Sequence, residues 1–102
     1  MVSSSTNKVN SVDVVTITMK GRFDFTVHRE FRSTYKNHEE MGMRFVVDMR
    51  QVDYIDSSAL GMLLLLREHA QKYNGDVEIT NCDPSIMNIL KIANFDRLFA
   101  IS

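Results

Sequence analysis

Two periodicities alternate along this chain, and the alternation leaves few architectures open to it. Val12 to Met19 (VDVVTITM) is rich in β-branched residues and close to alternating, the pattern of a strand. Gly21 is expected to end it. Beyond, Val27, Phe31 and Tyr35 recur every four residues, the period of a helix that buries one stripe. Thr26 is placed to cap that helix, and Gly42 sits in the turn that follows. Phe45 to Met49 is short, apolar and unalternated, which suits a buried strand in a sheet covered by helices. A loop from Arg50 to Asp56 leads to a helix opened by Ser57 or Ser58, reaching about Tyr73 and stopped by Asn74-Gly75. Asp76 to Thr80 reads as another strand. Asp83 before Pro84 caps a helix over Ser85 to Ala93, and Leu98 to Ile101 is a last short strand.

This order predicts an α/β domain: a mixed sheet of about four main strands covered by helices, with right-handed crossovers. The 102 residues fit one such domain. Residues 1–8, polar and rich in serine, are expected to be a flexible tail, leaving 9–102 as the folded domain. The tail has no apolar core of the signal-peptide kind. The longest purely apolar run, Met62 to Leu66, is far too short for a membrane span. A cytoplasmic protein with no membrane partner is therefore expected. The formal net charge of −1 argues against direct binding to nucleic acid, which usually needs a basic surplus.

Several chemistries lack their residues. Cys82 is the single cysteine, so no internal disulfide forms, and it reads as a small packed residue at a strand end. His28, His38 and His69 have no ligand at metal-binding spacing, so no metal is expected. The four glycines form neither a P-loop nor a dinucleotide fingerprint, so no cofactor is expected. No G-x-S-x-G elbow is present, and Asp24, Asp48 and Asp56 have no His, Lys or Cys partner at a recognisable spacing. The chain does not read as an enzyme.

The informative segment is Asp56-Ser57-Ser58-Ala59-Leu60-Gly61, at the start of the long helix. Capping alone accounts for an Asp or a Ser there. One cap, however, needs one side chain, and three are supplied. On a helical wheel Ala59, Met62, Leu63, Leu66 and Ala70 share one side. Leu60, Leu64 and Leu65 fall at its flanks or on the polar side. Either the neighbouring helix covers them, or Gly61, Leu64 and Leu65 form an exposed apolar spot beside Ser57 that docks a partner.

DSSALG at 56–61 resembles the DSSGLG signature of STAS domains, above all the bacterial anti-sigma factor antagonists. Gly21-Arg22-Phe23-Asp24 resembles the G-x-x-D that follows the first long strand of that family, and Val46-Val47-Asp48 its central strand. Asn94-Phe95-Asp96 with Leu98-Phe99 resembles its C-terminal ending. GRFDF with DSSALGMLLLLR is most similar to a Gram-negative subgroup that includes HsbA-type antagonists. The resemblance implies a STAS fold and a phosphorylation switch on the first serine, Ser57. An anti-sigma factor with serine kinase activity would add the phosphate, and a PP2C-type phosphatase would remove it. The unphosphorylated form would bind the kinase partner and free a sigma factor. Asp24, Asp56, Ser58, Gly61, Leu64 and Leu65 are the partner-binding candidates. The chain departs from the pattern at Ala59, where Gly is commoner; alanine favours the helix by about 1 kcal/mol. The other role the family offers is a non-catalytic scaffold subunit of a larger regulatory assembly. A phosphoserine adds about 1.5 to 2 negative charges. With Asp56 adjacent and Asp24 expected nearby, it should sharpen an acidic patch.

Overall fold

The β-branched segments assemble into a single five-stranded sheet in a computed structural model that describes residues 1–102. The strands are β1 (Val2–Val9), β2 (Val12–Phe23), β3 (Arg44–Ile55), β4 (Asp76–Thr80) and β5 (Ala100–Ile101), side by side in chain order. β1 pairs antiparallel with β2, and the other neighbours are parallel. The crossovers carry helices α1 (His28–Ser33, after a 3-10 turn at Phe25–Val27), α2 (Ser57–Lys72) and α3 (Pro84–Ile92). Sequential parallel neighbours joined by crossovers of one hand place all three helices on one face of the sheet.

That face is the core. Val15, Ile17, Phe45, Val47 and Ile79 on the strands meet Ala59, Leu63, Leu66 and Ala70 on α2, all 0–1% exposed. Phe31, Tyr35, Ile86 and Leu90 close it from the neighbouring elements. The opposite face bears Thr16, Thr18, Val46, Asp48, Glu78 and Thr80, half-buried by their neighbours and without a helix over them. The helices thus cover one face only. Val46 made Phe45–Met49 look unalternated, yet it points outward with Asp48.

The segment expected to be a tail is β1. Asn10 and Ser11 take left-handed φ values of 51° and 67°, the two-residue turn whose twist suits a hairpin. The turn folds residues 2–9 back along β2 from Val9↔Val12 to Val2↔Met19. Backbone pairing holds this strand, since only Val2 packs on the core. The Met1 ammonium donates to the Lys20 carbonyl at 3.1 Å, and the Lys20 N–H returns a bond to Met1 at 3.0 Å.

Gly21 does not end β2. At φ 81° it sits at a bulge, and the strand continues to Phe23. β3 extends with it through Ile55, so the expected loop at 50–56 is mostly strand: Gly21 pairs with Val52, Arg22 with Tyr54 and Phe23 with Ile55. α1 is shorter than its periodicity predicts and closes in turns after Ser33, though Tyr35 remains buried. β1 begins and β2 to β5 finish at one end of the sheet, so both chain termini lie at the end where Ser57 follows β3.

Candidate functional site

The register Phe23↔Ile55 carries Asp24 and Asp56 to the carboxyl ends of adjacent parallel strands, the usual place for sites in such sheets. The two aspartates build the same turn. Asp24 (φ −137°, ψ −172°) caps the 3-10 turn, accepting the Thr26 N–H at 3.0 Å and the Thr26 hydroxyl. Thr26, expected as the cap, is instead a donor to it. Asp56 (φ −130°, ψ −174°) caps α2, accepting from Ser58 N at 3.0 Å, Ala59 N at 3.2 Å and the Ser58 hydroxyl at 2.6 Å. These bonds favour the charged carboxylates. The Ser58 hydroxyl is the largest influence holding Asp56 below its ordinary value, and the charge of nearby Asp24 opposes it. The Thr26 hydroxyl does the same for Asp24.

The two serines consequently differ. Ser58 is half-buried and its hydroxyl is committed to Asp56. Ser57 is exposed, and its hydroxyl takes no partner in the protein. At 100° per residue, Gly61, Leu64 and Glu68 continue the Ser57 stripe down α2. Gly61 is exposed, Leu64 is 41% exposed and Leu65, turned toward α1, is 57% exposed. No helix covers them, whereas Leu60 packs partly against the core. Gly61, Leu64 and Leu65 are thus open to solvent rather than covered by a neighbouring helix.

Three residues at this site escaped the sequence reading. Arg22 Nε lies 3.2 Å from Asp24 Oδ2, and its guanidinium rests 3.9 Å over the Tyr54 ring. The patch around Ser57 is therefore not purely acidic, as was expected: a cation stands in it, already paired and stacked. Phe25, 62% exposed, stacks on His28 with ring centroids 4.0 Å apart. In Asp24-Phe25-Thr26 it takes the place that Ser57 holds in Asp56-Ser57-Ser58. The repeated Asp-x-Ser/Thr pattern at 24–26 and 56–58 was the available signal.

The STAS domain family model matches residues 5–102. The chain belongs to the STAS domain family. This STAS domain is 50% identical over 88 residues to a STAS-domain containing protein of Pseudomonas aeruginosa (strain UCBPP-PA14), covering 86% of this chain and 87% of that one. Its fold is shared by a sulfate transporter family protein from Wolinella succinogenes (TM-score 0.73, 21% identity, 82% of this chain and 69% of that one). It is shared too by the anti-sigma factor antagonist SpoIIAA in its unphosphorylated form (TM-score 0.67, 14% identity, 98% and 87%). Bacillus SpoIIAA in its phosphorylated form matches as well (TM-score 0.64, 12% identity, 98% and 91%).

Elsewhere in the STAS domain the other candidate groups are engaged structurally. His69 Nε2 donates to the His38 carbonyl at 2.7 Å, among the rings of Tyr35, Phe45 and Tyr73. Burial, with help from Asp83, raises the Cys82 thiol to about 11, far from a reactive thiolate. No three His, Cys, Asp or Glu side chains converge as metal ligands. No helix is long and apolar enough to cross a membrane.

Proposed function

We propose that this STAS domain is a cytoplasmic, non-catalytic anti-sigma factor antagonist switched by phosphorylation of Ser57. The observation that carries this reading is the contrast between two adjacent hydroxyls, Ser57 exposed and unpartnered, Ser58 bound to Asp56. The partner is an anti-sigma factor with serine kinase activity; binding it frees a sigma factor, and a PP2C-type phosphatase restores the unmodified form. SpoIIAA, which has this fold, is an anti-sigma factor antagonist solved in both unphosphorylated and phosphorylated forms.

The kinase transfers the γ-phosphoryl group of ATP to Ser57 Oγ. A P–O bond forms to the serine oxygen, the bond to the β-phosphate oxygen breaks, and the hydroxyl proton passes to a base of the kinase. Asp56 is a poor base for this step, because its Oδ1 already accepts three hydrogen bonds. Ser57 reaches a kinase site without local unfolding. The helix N-terminus favours the new charge by about 0.3–1 kcal/mol, and Asp56 and Asp24 oppose it. Arg22 is held by Asp24 and Tyr54. At the interface the added charge must be desolvated without a free cation, which costs several kcal/mol. Each 1.4 kcal/mol is about tenfold in affinity.

The test is a titration of the kinase partner with wild type, Ser57→Ala, Ser57→Asp and phosphorylated protein, with intact mass recorded after incubation with ATP. Wild type and Ser57→Ala are expected to bind, Ser57→Asp to bind weakly and the phosphorylated form least. Ser58→Ala should still gain a phosphate. Tighter binding by the phosphorylated form would reverse the sign of the mechanism. Binding with no phosphate gained would instead support the scaffold role.

A further inference from the structure

The surface that continues from Ser57 is a shallow groove between α1 and α2, of about 830 Å³. Tyr35, Leu65 and His69 line it, with His28 and Arg32 on the α1 side and Lys72 on the α2 side. α1 and α2 both begin where parallel strands finish, so they run in the same direction, away from Ser57. Leu65, 57% exposed, gives the groove an apolar contact point two turns from Ser57. About 12 Å separates them along the helix axis, at 1.5 Å per residue.

Charge changes sign along this face. Asp24 and Asp56 stand at the Ser57 end, offset by the paired Arg22 and by Arg29 in the first turn of α1. Farther along, Arg32 and Lys36 project from α1 and its following turn around a second hollow, which Arg29 lines from the first turn of α1, with Lys72 on the far wall. Only Glu30 and Glu68 oppose them there. The whole chain carries −1, so this basic excess is local.

We infer that the α1–α2 groove receives a segment of the kinase partner that seats an apolar side chain against Leu65 and turns acidic side chains toward Arg32, Lys36 and Lys72. This rests on the reading of Ser57 as the acceptor for that kinase. Because Asp24 and Asp56 repel such a segment while Arg32, Lys36 and Lys72 attract it, it is admitted in one orientation and repelled in the other. Docking that way would hold the kinase active site over Ser57, while the contacts made in the groove stay remote from the transferred phosphoryl group.

The experiment is steady-state phosphorylation by the ATPase-type serine kinase that modifies wild-type Ser57, at low and high salt. Wild type is compared with the double variant Arg32→Glu/Lys36→Glu, with Leu65→Ser and with Arg32→Lys. Thermal unfolding checks that each is folded. The double variant and Leu65→Ser are expected to raise KM about tenfold or more with kcat unchanged. The double variant should also flatten the salt dependence, Arg32→Lys should retain wild-type KM, and reversing the partner's acidic residues should restore the double variant. Unchanged KM in both the double variant and Leu65→Ser overturns the groove as a docking site while leaving the Ser57 switch standing. A fall in kcat alone overturns it too, because the effect would then lie at the reacting groups. If no ATPase-type kinase of the source organism modifies Ser57, the switch reading fails first, and this inference with it.

Discussion

Leu65→Ala and Leu66→Ala alter neighbouring residues of α2 and are expected to fail in opposite assays. Leu66 is 0% exposed and Leu65 is 57% exposed. Truncating a fully buried leucine costs about 2–5 kcal/mol. For a domain of this size each kcal/mol lowers Tm by roughly 4–8 °C, so Leu66→Ala should lose about 8–40 °C. Truncating Leu65 removes surface that is mostly in water already, which changes stability by about 0.5 kcal/mol or less. Its effect belongs to binding. Full burial of a leucine is worth about 1.5–3 kcal/mol. The 57% still exposed leaves roughly 0.9–1.7 kcal/mol for a partner to gain, about 4- to 20-fold in Kd. Scanning calorimetry and a titration of the kinase partner measure the two effects separately. Equal losses of Tm in the two variants would refute the assignment of α2's faces. Unchanged affinity for Leu65→Ala would refute the role of the exposed stripe.

Four further outcomes follow from the backbone and its caps. Deleting residues 1–9 strips the paired edge from β2, and should lower Tm and give concentration-dependent association by size-exclusion chromatography. Gly75→Ala should destabilise by about 1–3 kcal/mol, because a Cβ there would overlap the Met43 carbonyl. Gly61→Ala, whose Cβ meets nothing within 4 Å, should stabilise α2 by about 0.5–1 kcal/mol; urea midpoints compare the two. Asp24, Asp56 and Asp83 all titrate below their ordinary 3.8 in the folded protein. Their contribution is therefore full above that value and lost as pH falls through the lower folded values, which urea midpoints taken from about pH 6 to about pH 2 would show.

What the sequence revealed depended on whether side chains or backbone did the structural work. α2 buries Ala59, Met62, Leu63, Leu66 and Ala70, the set its wheel defines, because hydrophobic contact fixes its rotation. Asp83 before Pro84 announced α3, because a cap acts through adjacent residues. β1 was illegible: it buries almost nothing, so no apolar alternation marks it, and its turn is Asn-Ser without glycine. The second half of β3 hid likewise, since Arg50 to Tyr54 is mostly polar and is held by pairing with β2 beyond the bulge. At the site, Asp56-Ser57-Ser58 was legible as a surplus of caps, but not which hydroxyl the cap would claim. That is decided by the extended backbone at Asp56, which turns its carboxylate onto Ser58. Arg22 and Tyr54 meet only through the parallel register, which no local pattern specifies.

The placement of the chain's two ends has a practical corollary. Met1 is tied to Lys20 at the finish of β2, and Ser102 donates its N–H to Ile79 at the finish of β4. Each lies on a different flank of β3, two strands to the side, with Met1 level with Gln51 and Ser102 level with Asp48, both set back along the strand from Ile55. Anything joined to either terminus, an affinity tag or a further domain, therefore emerges toward the Ser57 end of the sheet, set back from it by the last residues of β3. A bulky tag would crowd an approaching enzyme from whichever side it was attached. A fluorophore placed at either end, by contrast, would sit within reporting distance of an event at that serine.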